Sequence, residues 1–112
     1  MAKIIPAIIA TATLLATNPA FSEGDPENGR NLVRTNCAHC HGVDGNARST
    51  SFQPVPMLAG QPSVYLVQEM RNYASGARED NSKNAAMVSK LKELSDQEFQ
   101  DIAEFFATQK RY

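Results

Sequence analysis

Cysteine and histidine are scarce in this chain: it has two of each, and all four lie between Cys37 and His41. That scarcity excludes a disulfide framework spread across the fold. Neither sign of charge is in excess, with 11 Lys and Arg against 12 Asp and Glu and a formal net charge of −1. Charges of both signs are scattered without like-charge blocks, which argues against nucleic acid or an anionic membrane surface as partner. Internal repeats and low-complexity tracts are lacking as well. No apolar run reaches the roughly 20 residues that a membrane-spanning helix needs.

The N-terminal stretch does carry a shorter run. Lys3 is followed by apolar residues from Ile4 to Ala16, interrupted by Pro6, and then by small and polar residues. This is the layout of a secretory signal peptide, with cleavage expected after Ser22 or Ala20 and an uncleaved anchor as the alternative. What remains, from about residue 23 onward, is enough for one small domain.

Export changes how "TNCAHCHGVDG" reads. A Cys37–Cys40 disulfide would close a tiny loop and contribute little. A thioredoxin-like site expects a strand ahead of its C-x-x-C, and no strand pattern precedes Cys37. Zinc needs four ligands in a tetrahedron, and these four residues are too close in sequence to wrap one ion without strain. The pattern C-x-x-C-H is that of covalent haem attachment, and it accounts for both cysteines and for His41. Cys37 and Cys40 would each form a thioether to a porphyrin vinyl group, and His41 would coordinate the iron. His39 sits at a spacer position and reads as a surface residue. Zinc and dithiol chemistry stay as the alternatives.

The remainder reads as helix and loop. Asp25–Pro26 is a helix start, an acceptor before a proline in the first turn, and the helix should run to about Asn36. Gly42 to Gly60 is rich in Gly, Ser, Thr and Pro and should be loop. A second helix should begin at Pro62, carry Leu66, Met70 and Tyr73 on one face, and end at Gly76. Arg78 to Asn84 is polar loop, and Ala85 to Lys92 a short helix. Ser95 and Glu98 form a capping box ahead of an apolar stripe of Phe99, Ile102, Ala103 and Phe106.

Taken in order, "NCAHCHGVDGN", "PMLAGQPSVYL", "YASGAR" and "MVSKLKELSDQEFQDIAEFF" resemble the successive landmarks of class I c-type cytochromes. The resemblance runs from about Asp25 to Gln109. It is greatest to small single-haem bacterial carriers, which are similar to each half of the two-haem cytochromes c. It implies an all-α fold of three main helices plus short helical turns around one covalent haem c. The domains would be residues 1–22, the signal peptide, and 23–112, the cytochrome c domain. His41 and Met87 would be the axial ligands, with Met57 the alternative in a loop and Met70 a core residue. The Pro56 carbonyl would orient His41, with Pro54 as its rival. Arg78 would pair with a haem propionate or stand as an exposed surface arginine. Gly29 would let the first and last helices cross closely, against an aromatic matched here by Phe105.

The function so implied is one-electron transfer without substrate turnover, in the periplasm or a lumenal compartment. The partners would be redox protein donors and acceptors. A monomer without stable membrane insertion after signal cleavage is expected. The alternative is a cytochrome c subunit of a larger dehydrogenase or oxidase complex.

Overall fold

A computed structural model of the chain describes residues 3–6, 24–50 and 54–112. Most of the expected signal peptide, its cleavage site included, lies outside the described residues. Five α-helices follow in order: α1 (Pro26–Asn36), α2 (Ala38–His41), α3 (Ser63–Ser75), α4 (Ala86–Leu91) and α5 (Asp96–Thr108). There is no strand among the described residues.

The helix ends follow local chemistry. The Asp25 carboxylate accepts from the N–H groups of Glu27 (3.0 Å) and Asn28 (3.4 Å), with Pro26 in the first turn of α1. Both halves of the α5 capping box form: Glu98 N–H donates to Ser95 Oγ at 3.1 Å, and Ser95 N–H to Glu98 Oε1 at 2.9 Å. Gly76 ends α3 with φ of +84°, a left-handed conformation that glycine adopts without steric cost. α3 begins at Ser63, one residue later than the sequence reading, because Pro62 stands outside it as the cap.

The expected helix over Ala85–Lys92 forms as α4, Ala86–Leu91, one residue shorter at each end. A 3-10 turn spans Lys83–Ala85 before α4, and Asn84 and Ala85 both have positive φ, +59° and +51°. For Ala85 this region costs roughly 1–2 kcal/mol, since Cβ crowds the following carbonyl. The single turn α2 was not anticipated. It continues the path of α1 after a bend at Cys37, where φ is −121° and ψ −31°.

The core forms where α5 meets α1 and α3. Phe106, Ile102 and Val33 are fully buried, each contributing roughly 2 kcal/mol from area removed from water. Leu66, Val67 and Met70 of α3, Leu91 of α4, and Phe99, Ala103 and Phe105 complete it. The stripe read from the sequence is therefore the buried face of α5, widened by Phe105.

α1 and α5 cross at Gly29. A Cβ there would lie 2.0 Å from the Asp101 carbonyl oxygen and 2.9 Å from Phe105 Cβ, so the expected close crossing against Phe105 is present. Asp101 completes the joint. Its carboxylate is 5% exposed and accepts from Asp25 N–H (2.8 Å), Asn28 Nδ2 (2.8 Å) and Gln97 Nε2 (3.0 Å). Burial raises its pKa, but the bonds from Asn28, Asp25 and Gln97 together outweigh it, and the carboxyl lies below its ordinary value.

A depressed folded pKa gives stability that is full above the unfolded value, about 3.9, and is lost as pH falls through the folded value. Asp101→Asn should therefore destabilise the protein by about 2 kcal/mol at neutral pH, the scale of a hydrogen bond to a charged group. The deficit relative to the parent should shrink below pH 4. Denaturant melts of both proteins at pH 7 and pH 3 measure this, and a deficit that does not change between them rules the assignment out.

Candidate functional site

The Cys37–His41 stretch is delivered by the end of α1. Cys37 N–H donates to the Val33 carbonyl at 2.8 Å, closing α1. The Cys37 carbonyl then accepts from Cys40 N–H (3.3 Å) and His41 N–H (3.0 Å), forming the turn of α2. Cys37 and Cys40 are thus one helical turn apart, and both are half-buried. Burial pushes the Cys37 thiol up to about 11, with Lys90 pulling it down and Cys40 adding a smaller upward push.

His41 is buried, at 5% exposure. Its Nδ1 lies 3.2 Å from the Pro56 carbonyl oxygen. A carbonyl can only accept, so this contact selects the Nδ1–H tautomer and leaves the lone pair of Nε2 available. Burial lowers the His41 pKa, outweighing the Pro56 hydrogen bond that raises it, and so favours the neutral ring that a metal requires.

Two loops are laid together to bring Pro56 to His41. The Gly45 carbonyl accepts from Leu58 N–H (2.8 Å) and Ala59 N–H (3.1 Å), and Ala47 N–H donates to the His41 carbonyl at 3.1 Å. Ser49 Oγ bonds both the N–H and the carbonyl of Val55, each at 2.8 Å. The C-terminal segment braces the same loop. Asn46 Nδ2 donates to the Lys110 carbonyl (2.8 Å), and Tyr112 N–H donates to Asn46 Oδ1 (3.1 Å). Asn46 was missed in the sequence. The only local sign of it is the Asx pattern with Asp44, whose carboxylate takes both Asn46 N–H (3.0 Å) and Nδ2 (3.0 Å).

The methionines separate by environment. Met70 is a core residue at 8% exposure. Met57 is half-buried in the loop, and its carbonyl accepts from Gln61 Nε2 at 3.4 Å. Met87 is half-buried in the first turn of α4 and packs against the same core as Cys37. His39 is exposed, as its spacer position suggested. Arg78 is already engaged: it pairs with Glu69 and lies over the Tyr73 ring, 4.6 Å from its centroid.

Two thiols a turn apart, a buried neutral imidazole with one nitrogen held, and a thioether on the shared core are the donor types that haem c takes. The residues fit that group.

Comparison with known proteins points the same way. The family model for cytochrome c matches residues 26–110. The chain is similar to cytochrome c4 of Stutzerimonas stutzeri, 35% identical over 98% of this chain and 52% of that protein. It is also similar to cytochrome c-554(548) of Halomonas halodenitrificans, 33% identical over 77% of this chain and 98% of that protein. The crystal structure of reduced recombinant cytochrome c4 from Pseudomonas stutzeri matches with a TM-score of 0.62 at 35% identity. That match covers 80% of this chain and 47% of the other. The chain spans about half the length of the cytochrome c4 relatives.

Proposed function

Since this chain belongs to the cytochrome c family, we propose that it is an exported one-electron carrier with His41 and Met87 as axial ligands. The cofactor of such a domain is covalently bound haem c, and Cys37, Cys40 and His41 supply its C-x-x-C-H sequence. When bound, that group supplies an iron couple that takes up and releases one electron.

The observation that carries the reading is the buried His41, with Nδ1 tied to the Pro56 carbonyl beside two half-buried cysteines. Cys37 and Cys40 serve as the thioether anchors. The Pro56 carbonyl fixes the orientation of the His41 ring. Met87 would be the second protein donor to the iron, and as a soft neutral one it would favour the ferrous state. With His41 and Met87 both holding the iron, oxygen and peroxide would find no open site, which favours a carrier over a haem enzyme. Arg78 serves a propionate: a guanidinium has five N–H donors, so pairing with Glu69 leaves others available.

The leader from Lys3 to Ser22 supports export to the periplasm. Among the described residues no helix is long and apolar enough to cross a membrane. Redox proteins are the partners in this reading, and the carrier diffuses as a monomer.

Protein matured in a host that attaches haem c should retain its haem through denaturation and organic extraction. Cys37→Ala or Cys40→Ala should leave at most one link and lower the yield of holoprotein. Haem that extracts freely from the parent protein contradicts covalent attachment. Elution from a sizing column only as part of a larger assembly contradicts the freely diffusing carrier.

A further inference from the structure

The backbone that leads into Met87 is unfavourable. Asn84 and Ala85 are consecutive left-handed residues, with φ and ψ of 59° and 26° and of 51° and 44°. Neither is glycine, and Ala85 has no polar side chain to offset the crowding. As the residue that caps α4, Ala85 also offers no side-chain acceptor to the first turn. The N–H groups of that turn have no partner within the helix.

Two residues from the preceding loop take those N–H groups. Asp80 Oδ2 accepts from Val88 N–H at 2.9 Å. Asp80 Oδ1 accepts from Ser82 N–H at 2.9 Å and from the Ser82 hydroxyl. Ser82 Oγ in turn accepts from Met87 N–H at 3.3 Å. The Ser82 carbonyl accepts from Ala85 N–H at 3.1 Å, closing the 3-10 turn. One carboxylate and one hydroxyl therefore hold Met87, its successor and the strained turn ahead of them. Both are half-buried, as is Met87.

We propose that Asp80, acting with Ser82, is a positioning residue for Met87: it pins the first turn of α4 so that the thioether is held in place as an iron ligand. This rests on Met87 being the sixth ligand. Asp80 touches neither the iron nor the porphyrin in this scheme. Its effect is on the fraction of molecules in which Met87 has swung away. Without the clamp, the left-handed turn relaxes and the N–H groups of Met87 and Val88 turn to water.

A competing ligand reads that fraction directly, because its apparent affinity scales with the population of the open form. Ferric holoprotein is titrated with imidazole while the far-red charge-transfer band is followed. Asp80→Ala should bind imidazole about ten-fold more tightly than the parent, the effect of losing hydrogen bonds to a charged group. Ser82→Ala keeps the Asp80–Val88 bond and should show a smaller rise, about three-fold. Asp101→Asn, which weakens the distant α1–α5 joint, should stay within about two-fold of the parent. Met87→Ala should lack the band before any imidazole is added.

If Met87→Ala lacks the band but Asp80→Ala and Ser82→Ala titrate like the parent, the ligand stands and the positioning role falls. An equal rise in Asp101→Asn overturns the role too, since the titration then reports overall stability. If Met87→Ala keeps the band, the ligand assignment fails and the positioning role with it.

Discussion

Ferric holoprotein carrying Met87→Ala should lose its weak far-red charge-transfer band, bind carbon monoxide once reduced, and have a lower reduction potential. The band depends on an iron–sulfur bond, so it reports the ligand and not the fold. The direction of the potential follows from donor softness: a thioether stabilises ferrous iron relative to the harder oxygen of the water or hydroxide that would replace it. A fall on the order of a tenth of the roughly 0.8 V that axial ligands control is the expected scale. Met57→Ala should leave all three properties nearly unchanged, since what Met57 gives its loop is a backbone carbonyl to Gln61. Met70→Ala should lower stability by about 2–5 kcal/mol through a core cavity while keeping the band. Loss of the band in the Met57 variant, with retention in the Met87 variant, would move the ligand to the loop. Ready carbon monoxide binding by the parent protein would argue instead for an open-site haem sensor or peroxidase.

A substantial loss of stability should come from one added methyl group. Gly29→Ala sets two terms against each other. Helix propensity favours alanine by about 1 kcal/mol. Against that, the new Cβ would lie 2.0 Å from the Asp101 carbonyl oxygen, a backbone atom that no rotamer change can move. Forcing atoms into a packed core costs about 1–3 kcal/mol where side chains can shift. Here the helices themselves must part, which also lengthens the bonds from Asp25 and Asn28 to Asp101. The clash should win, with a net loss of roughly 2 kcal/mol and a fall in Tm of roughly 10 °C. Thermal melts of holoprotein test this. A Tm that is unchanged or raised would mean that α1 and α5 are farther apart than their crossing at Gly29 requires.

Much of this architecture is legible in the sequence because it is encoded locally. Asp25–Pro26, the Ser95–Glu98 box and Gly76 each act on backbone groups within a few residues, so their types and spacing suffice. The Cys37–His41 motif is legible for the same reason, since both anchors and the imidazole fall within two helical turns. Asp101 was not legible. On a helical wheel it reads as one more acidic residue beside the apolar stripe, and its partners Asp25 and Asn28 lie 76 and 73 residues away. The clasp of Asn46 on Lys110 and Tyr112 is hidden in the same way. The clamp on Met87 is an intermediate case. Asp80 and Ser82 ahead of a helix are recognisable as capping types, but the left-handed turn at Asn84 and Ala85 shifts them out of the usual register.

The bond from Asp25 to Asp101 also makes the polypeptide between them a ring. Closing a ring of 76 residues from a disordered chain removes roughly 4 kcal/mol of chain freedom on the logarithmic law of loop closure. Because the dependence is logarithmic, its slope at this size is shallow: ten more residues would add only roughly 0.1 kcal/mol. The α1–α5 joint is thus nearly indifferent to the length of what it encloses. Insertions or deletions in the perimeter are judged by the contacts they disturb at Gly45, Pro56 or Asp80, and hardly at all by the ring itself.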